Sequence, residues 1–236
     1  MKSMCYLAMT AEEIAFCPRL PEKAAWMACH FSPYGLGLTN LPEKMPAGSM
    51  LILNDRIPIR GHDPEQIAHE LNSLRFDSLL LDFQRLGSSE TMDLVVTILK
   101  KVPCPVAVTE AYAAGLDCPV FLPPVPTDSP PEDSLSKWGG REIWLDVSPG
   151  WTSYAVRETG TESISPTIPG CSAVWHKNES LFCHYSIETS PDSITFTLRR
   201  TQEDTARLLT HARELGVVRG VGLYQEWESL PDPVKK

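Results

Sequence analysis

Eight short apolar runs recur along the chain, at 26–31, 49–54, 78–83, 105–109, 119–122, 142–147, 181–187 and 220–224. They are rich in β-branched and aromatic residues, and each is followed by polar or turn residues, which is how strands buried on both faces read. Helical patterns separate some of them. Asp63-Pro64-Glu65 supplies an N-cap, a first-turn proline and a first-turn acid ahead of Ile67, Leu71 and Leu74. Ser88-Ser89-Glu90 opens a second helix with Met92, Val95, Val96 and Leu99 on its apolar face, and Lys100 and Lys101 close it at the negative end of its dipole. A third runs from Thr201 to Leu215 and is stopped by Gly216. Alternation of strand and helix predicts a parallel sheet.

Residues 151–200 follow another rule. Apolar and polar positions alternate there (Tyr154 and Val156, Ala173 and Trp175, Ile194, Phe196 and Leu198) between Gly, Pro and Asn-Glu-Ser turns, which predicts one or two antiparallel hairpins. Residues 123–131 read as a proline-dense loop and 230–236 as a frayed tail. Eight strands in 236 residues fit one α/β domain over 1–236, an irregular (β/α)8 TIM-like barrel with an antiparallel insertion at 151–200. An open doubly wound sheet is the rival, and no Gly-rich phosphate loop supports it.

Composition narrows the function. With 21 Lys and Arg against 30 Asp and Glu, the net charge of −9 argues against nucleic acid or an anionic membrane as partner. The first residues lack the basic start and apolar run of a signal peptide, and no apolar stretch is long enough to span a bilayer, so the expected location is cytoplasmic. The seven cysteines form no CxxC pair and lack zinc spacing with His, which predicts reduced, packed thiols and no cofactor. Oligomeric state is not legible.

The third run carries a resemblance. Phe76-Asp77-Ser78-Leu79-Leu80-Leu81-Asp82-Phe83-Gln84 is similar to the signature strand of family-18 glycoside hydrolases, the chitinase-like barrels, whose pattern is Phe-Asp-Gly-φ-Asp-φ-Asp-Trp-Glu with φ apolar. Asp77 and Asp82 fall on its first and third acids, Leu80 replaces the second, and Gln84 replaces the terminal Glu. Residues 102–109 resemble the strand after the signature, and 220–227 the closing strand with its aromatic floor. In that family the terminal Glu protonates the glycosidic oxygen, while the substrate's own N-acetyl group, helped by an Asp, is the nucleophile. A Gln amide releases no proton near neutral pH, so the resemblance implies a barrel without chitinase-type catalysis that binds a carbohydrate or similar polar ligand.

In a barrel the working residues stand at the C-terminal ends of the strands. Those positions hold His30, Asn54 with Asp55, Asp82 with Gln84, Glu110, Asp146 with Ser148, His184 or Glu188, and Tyr224 with Glu226, and Trp227 follows the last strand end. On this reading Asp82 and Gln84 orient the ligand, His30, Asn54 and Asp146 are further ligand-binding candidates, Tyr224 and Trp227 stack on it, and Glu110 and Glu226 supply hydrogen bonds. Glu110 and Glu226 form the acid/base pair of an alternative, an active hydrolase with relocated carboxylates. A metal site of His30, Asp82, Asp146 and Glu226 has no local spacing behind it, so none is expected. A non-catalytic interaction scaffold is the third reading.

Overall fold

A computed structural model describes residues 5–32, 34–38, 46–85, 89–166 and 173–228. Ser88, Cys171 and the 230–236 tail lie outside these, as does the Trp227 side chain. In chain order the elements are β1 (Cys5–Met9), α1 (Ala11–Phe16), β2 (Ala24–Ser32), β3 (Gly35–Leu38), β4 (Met50–Asn54), α2 (Pro64–Ser73), β5 (Ser78–Asp82), α3 (Ser89–Lys101), β6 (Val106–Thr109), α4 (Glu110–Ala113), β7 (Val120–Leu122), α5 (Pro131–Leu135), β8 (Ile143–Asp146), β9 (Trp151–Arg157), β10 (Gly160–Ile164), β11 (His176–Asn178), β12 (Cys183–Thr189), β13 (Ile194–Arg199), α6 (Gln202–Ala212), β14 (Val217–Leu223) and α7 (Tyr224–Glu228). They cluster into two compact units, one of residues 1–123, 140–146 and 218–225, the other of 124–139, 147–217 and 226–236.

The first unit holds a closed eight-stranded parallel barrel. Its strand order is β1-β14-β8-β7-β6-β5-β4-β2, and β1 closes the ring by pairing with β2 at Ala24–Trp26. Farther along, β3 pairs antiparallel with β2 at Cys29–Ser32. The strands read as continuous apolar runs because both faces are buried. Tyr6, Ala8, Ala25, Met50, Ile52, Leu80, Ala107, Phe121, Trp144 and Val221 pack together, one position in two along their strands, and fill the barrel interior. The alternate positions, among them Leu51, Leu53, Leu79 and Leu81, join Ile67 and Leu71 of α2 and Leu94, Val95 and Ile98 of α3 in a second cluster.

Two strand expectations need correction. The 181–187 run is β12 of the antiparallel sheet, not a barrel strand, so His184 and Glu188 do not stand at a barrel strand's end. The eighth barrel strand is β1, which the pattern missed because Cys-Tyr-Leu-Ala-Met contains no β-branched residue. The helix signals hold: Asp63 caps α2 with Pro64 in its first turn, and Gly216, at φ 95°, takes the left-handed conformation that ends the third helical segment.

The second unit is built on the insertion, one five-stranded antiparallel sheet of order β10-β9-β13-β12-β11, larger than the one or two hairpins expected. Thr201 and Asp204 form a capping box at the start of α6. Arg200 is 1% exposed. Its guanidinium donates to the carbonyls of Val125 (2.6 Å), Pro126 (3.2 Å), Leu181 (3.1 Å) and Phe182 (3.2 Å), so the 124–127 segment and the β12 entry share one donor group. Replacing Arg200 by Met strands buried acceptors and is predicted to lower the unfolding free energy by about 3 kcal/mol, read as a fall in the urea midpoint at constant slope.

Candidate functional site

Strand alternation aims the site. Met50 and Ile52 face the barrel interior, so Asn54, two further along β4, faces the same way at its C-terminal end. By the same count Leu80 leads to Asp82 on β5, and Trp144 to Asp146 on β8. Register aligns them: His30 of β2 is opposite Asn54, and Asn54 is opposite Asp82. Three polar side chains from three adjacent strands thus share one level at the C-terminal rim.

A cavity of about 770 Å³ opens there. His30, Asn54, Asp55, Asp82 and Gln84 line it, together with Arg56, Arg85, Met27, Ala28, Gln225 and the start of α1 at Thr10, Ala11 and Glu12. His30 lies over Gly37 of β3, where a Cβ would come within 2.8 Å of its Nε2. Glycine at 37 is what leaves room for the imidazole.

The loop after β5 is fixed from three sides. Asp55 is 4% exposed, and its carboxylate accepts the backbone N–H groups of Gln84 (2.9 Å) and Arg85 (2.8 Å). The Arg85 guanidinium donates back to the carbonyls of Asp55 and Arg56, both at 2.8 Å. The Thr109 hydroxyl donates to the Phe83 carbonyl at 2.7 Å, and the Tyr112 hydroxyl to the Arg85 carbonyl at 2.6 Å. Phe83 is fully buried, which leaves Gln84 over the cavity with its Nε2 donating to Asp82 Oδ1 at 2.5 Å. Burial pushes the Asp82 carboxyl above its ordinary range; the Gln84 hydrogen bond opposes this, and the like charges of Asp146 and Asp55 add to it.

Of the residues expected at the site, His30, Asn54, Asp82 and Gln84 line one cavity, and Asp146 acts on Asp82 through its charge. Glu110 is exposed at the start of α4 and is not among the lining residues. Glu226 belongs to the second unit, with Oε2 buried and lacking a hydrogen-bond partner among the described residues. Tyr224 packs against the outer core cluster, with Cys17 Sγ 3.9 Å from its hydroxyl. Sequence reading missed Gln225, Arg56, Arg85, Thr10 and Glu12. All follow strand ends, and what hid Thr10 and Glu12 was the unrecognised β1. Among the described residues no group of three or more His, Cys, Asp or Glu could hold a metal ion, and no helix is long and apolar enough to cross a membrane.

No protein-family model matches the sequence, and no curated protein matches it at a significant level. Solved structures do. A family-18 N-acetylglucosaminidase from Paenibacillus barengoltzii superposes with a TM-score of 0.59 at 8% identity, over 95% of this chain and 97% of that one. A family-18 chitinase from Cycas revoluta, solved with allosamidin, gives 0.57 at 11% identity over 94% of each chain. The spore cortex-lytic enzyme SleL of Bacillus cereus gives 0.51 at 9%, over 98% of this chain and 72% of that one. At these identities the likeness is one of fold, and it makes this a chitinase-like TIM barrel.

The Asp82 environment carries a pH dependence. Folding raises its pKa above the unfolded value of about 3.9, so the folded chain binds this proton more tightly. That contribution to stability is fully present below the unfolded value and is lost as pH rises through the folded one. Asp82→Asn removes the titration and keeps an acceptor for Gln84. Its unfolding free energy is predicted to fall less than that of the wild type between about pH 4 and pH 7, in denaturant titrations at both pH values.

Proposed function

We propose that the rim cavity binds a carbohydrate or a ligand of similar polarity, and that the chain lacks chitinase-type hydrolysis. The observation that carries this reading is the carboxamide of Gln84, which stands over the cavity and donates to Asp82. General-acid cleavage of a glycosidic bond needs a group at the leaving oxygen that gives up a proton near neutral pH. A carboxamide donates a hydrogen bond and keeps its proton. Leu80 of the same strand is buried in the barrel interior, so the acid that the chitinase pattern places there is missing as well. What remains suits recognition: amide, imidazole, guanidinium and carboxylate groups converge on one concave site, the mixture that hydroxyl-rich ligands pair with.

Structures of the Cycas revoluta chitinase hold (GlcNAc)3 and (GlcNAc)4, which makes N-acetylglucosamine oligomers the first ligands to test. Hydrolysis on a Glu110 and Glu226 pair has less support, because Glu110 does not line the cavity. Cytoplasmic residence is part of the proposal: the six described cysteines are unpaired thiols, the state a reducing compartment keeps.

The wild type is expected to release no fluorophore from fluorogenic N-acetylglucosamine oligomers and to bind the tetramer in calorimetry. Gln84→Ala should weaken that binding about tenfold, the worth of one good hydrogen bond in a desolvated site. Turnover by the wild type, or absence of binding, would contradict the proposal.

A further inference from the structure

At the N-terminal end of the barrel, away from the cavity, hydrogen-bond donors gather without acceptors. Lys23 and Arg219 stand two positions before Ala25 and Val221, which pack in the barrel interior. The Lys23 carbonyl still accepts the Leu7 N–H at 2.9 Å, so the ladder reaches it, and strand alternation turns both side chains toward the axis. Both cations lie beside the Tyr6 ring, Lys23 Nζ at 5.3 Å and Arg219 Cζ at 5.7 Å from its centroid. The Arg219 guanidinium also covers the Trp144 ring at 4.5 Å. A part-buried guanidinium is ordinarily spent on acceptors, as that of Arg141 is on the carbonyls of Ala113, Leu116 and Cys118. Arg219 Nη1 is shut off from water and meets no acceptor among the described residues.

Two fully buried side chains share this lack. Ser78 Oγ and Trp144 Nε1 have no hydrogen-bond partner among the described residues. Trp144 packs in the interior cluster, and Ser78, two before Leu80, faces the interior from β5, directly across the ring of strands from β14. Among the described residues no ion pair joins Lys23 or Arg219 to an acid: Glu22 and Glu142 are exposed, and the Asp77 carboxylate accepts the Gly48 N–H at 2.7 Å. An unmatched buried donor is costly. An ammonium, a guanidinium, an indole N–H and a hydroxyl at one end of one barrel lack the same thing, an acceptor of high charge. A tetrahedral dianion supplies it, because its charge balances two cations and its oxygens suit both the planar fork of an arginine and the point charge of a lysine. From this juxtaposition we infer that the N-terminal end of the barrel binds a phosphate group, held by Lys23 and Arg219, with Ser78 and Trp144 as further donors.

This site does not depend on the carbohydrate reading of the rim. Inorganic phosphate, titrated at constant ionic strength against sodium chloride, should raise the unfolding temperature of the wild type and move the Trp144 indole N–H signal of the 15N-labelled chain. Lys23→Gln should weaken phosphate binding about tenfold, the loss of one charge-assisted hydrogen bond, and Arg219→Gln should weaken it further. Arg219→Lys keeps the charge without the fork and should fall between the wild type and Arg219→Gln. Lys23 lies outside the core, and an unchanged unfolding midpoint in phosphate-free buffer checks that Lys23→Gln is folded, so the test stands even if an Arg219 variant does not fold. Phenyl phosphate, run in parallel, separates the sources: tighter binding than inorganic phosphate assigns the group to an ester, weaker binding to the free ion, and either supports the site. No response beyond that to chloride, or a response that Lys23→Gln retains in full, would overturn the inference. Shifts at the Gln84 and Arg85 amides with the Trp144 signal unmoved would assign the anion to the rim and overturn it too.

Discussion

The Asp55 carboxylate, buried at the end of β4, holds the site together. An ionised carboxylate out of water is costly unless hydrogen-bond donors surround it, and here the donors are the two backbone N–H groups that follow Phe83. Charge-assisted bonds of this kind are short and strong. They fix the loop after β5 in the one arrangement that buries Phe83 outward and turns Gln84 inward. Thr109 and Tyr112 hold the same loop through its carbonyls, so the chain at the ends of both neighbouring strands, β4 and β6, acts on one short segment. The placement of Gln84 is therefore set by Asp55, which lines the cavity beside it, and by Thr109 and Tyr112, which do not.

Given that brace, the chemistry at the rim follows from two residue identities. Gln84 gives the loop a donor without a transferable proton, and Leu80 fills the barrel interior with an apolar side chain where an acid would interact with Asp82. Asp82 is left with an amide partner and two acidic neighbours, and its burial raises the energy of its charged form. Under the proposed function this arrangement recognises polar groups. On that proposal the Gln84 amide, which keeps its proton near neutral pH, cannot act as the general acid of cleavage.

Much of the fold was legible because barrel strands buried on both faces leave uninterrupted apolar runs, and because Asp63-Pro64 and Gly216 mark helix ends by local chemistry. The β1 strand was not: five residues without a β-branched side chain give a weak local signal, and only pairing with β2 and β14 makes them a strand. The 181–187 run was misread for the converse reason, since its local pattern does not say whether its partners are parallel or antiparallel. At the site, His30, Asn54, Asp82 and Gln84 were readable as strand-end positions. The Asp55 brace was not, because its donors lie 29 and 30 residues away. Nor was the approach of Lys23 and Arg219 to one Tyr6 ring, which depends on the closure of the barrel through β1.

The central claim is that ligand recognition takes place at the C-terminal rim, over the loop that Asp55 holds. Its most direct test is an amide NMR titration of the 15N-labelled chain with the N-acetylglucosamine tetramer. The account predicts that the largest shifts fall on the Gln84 and Arg85 amides, which Asp55 accepts, and on those of Asn54 and His30 in the neighbouring strands. Shifts confined to the antiparallel sheet of β9 to β13, with the Gln84 and Arg85 signals unmoved, would contradict it.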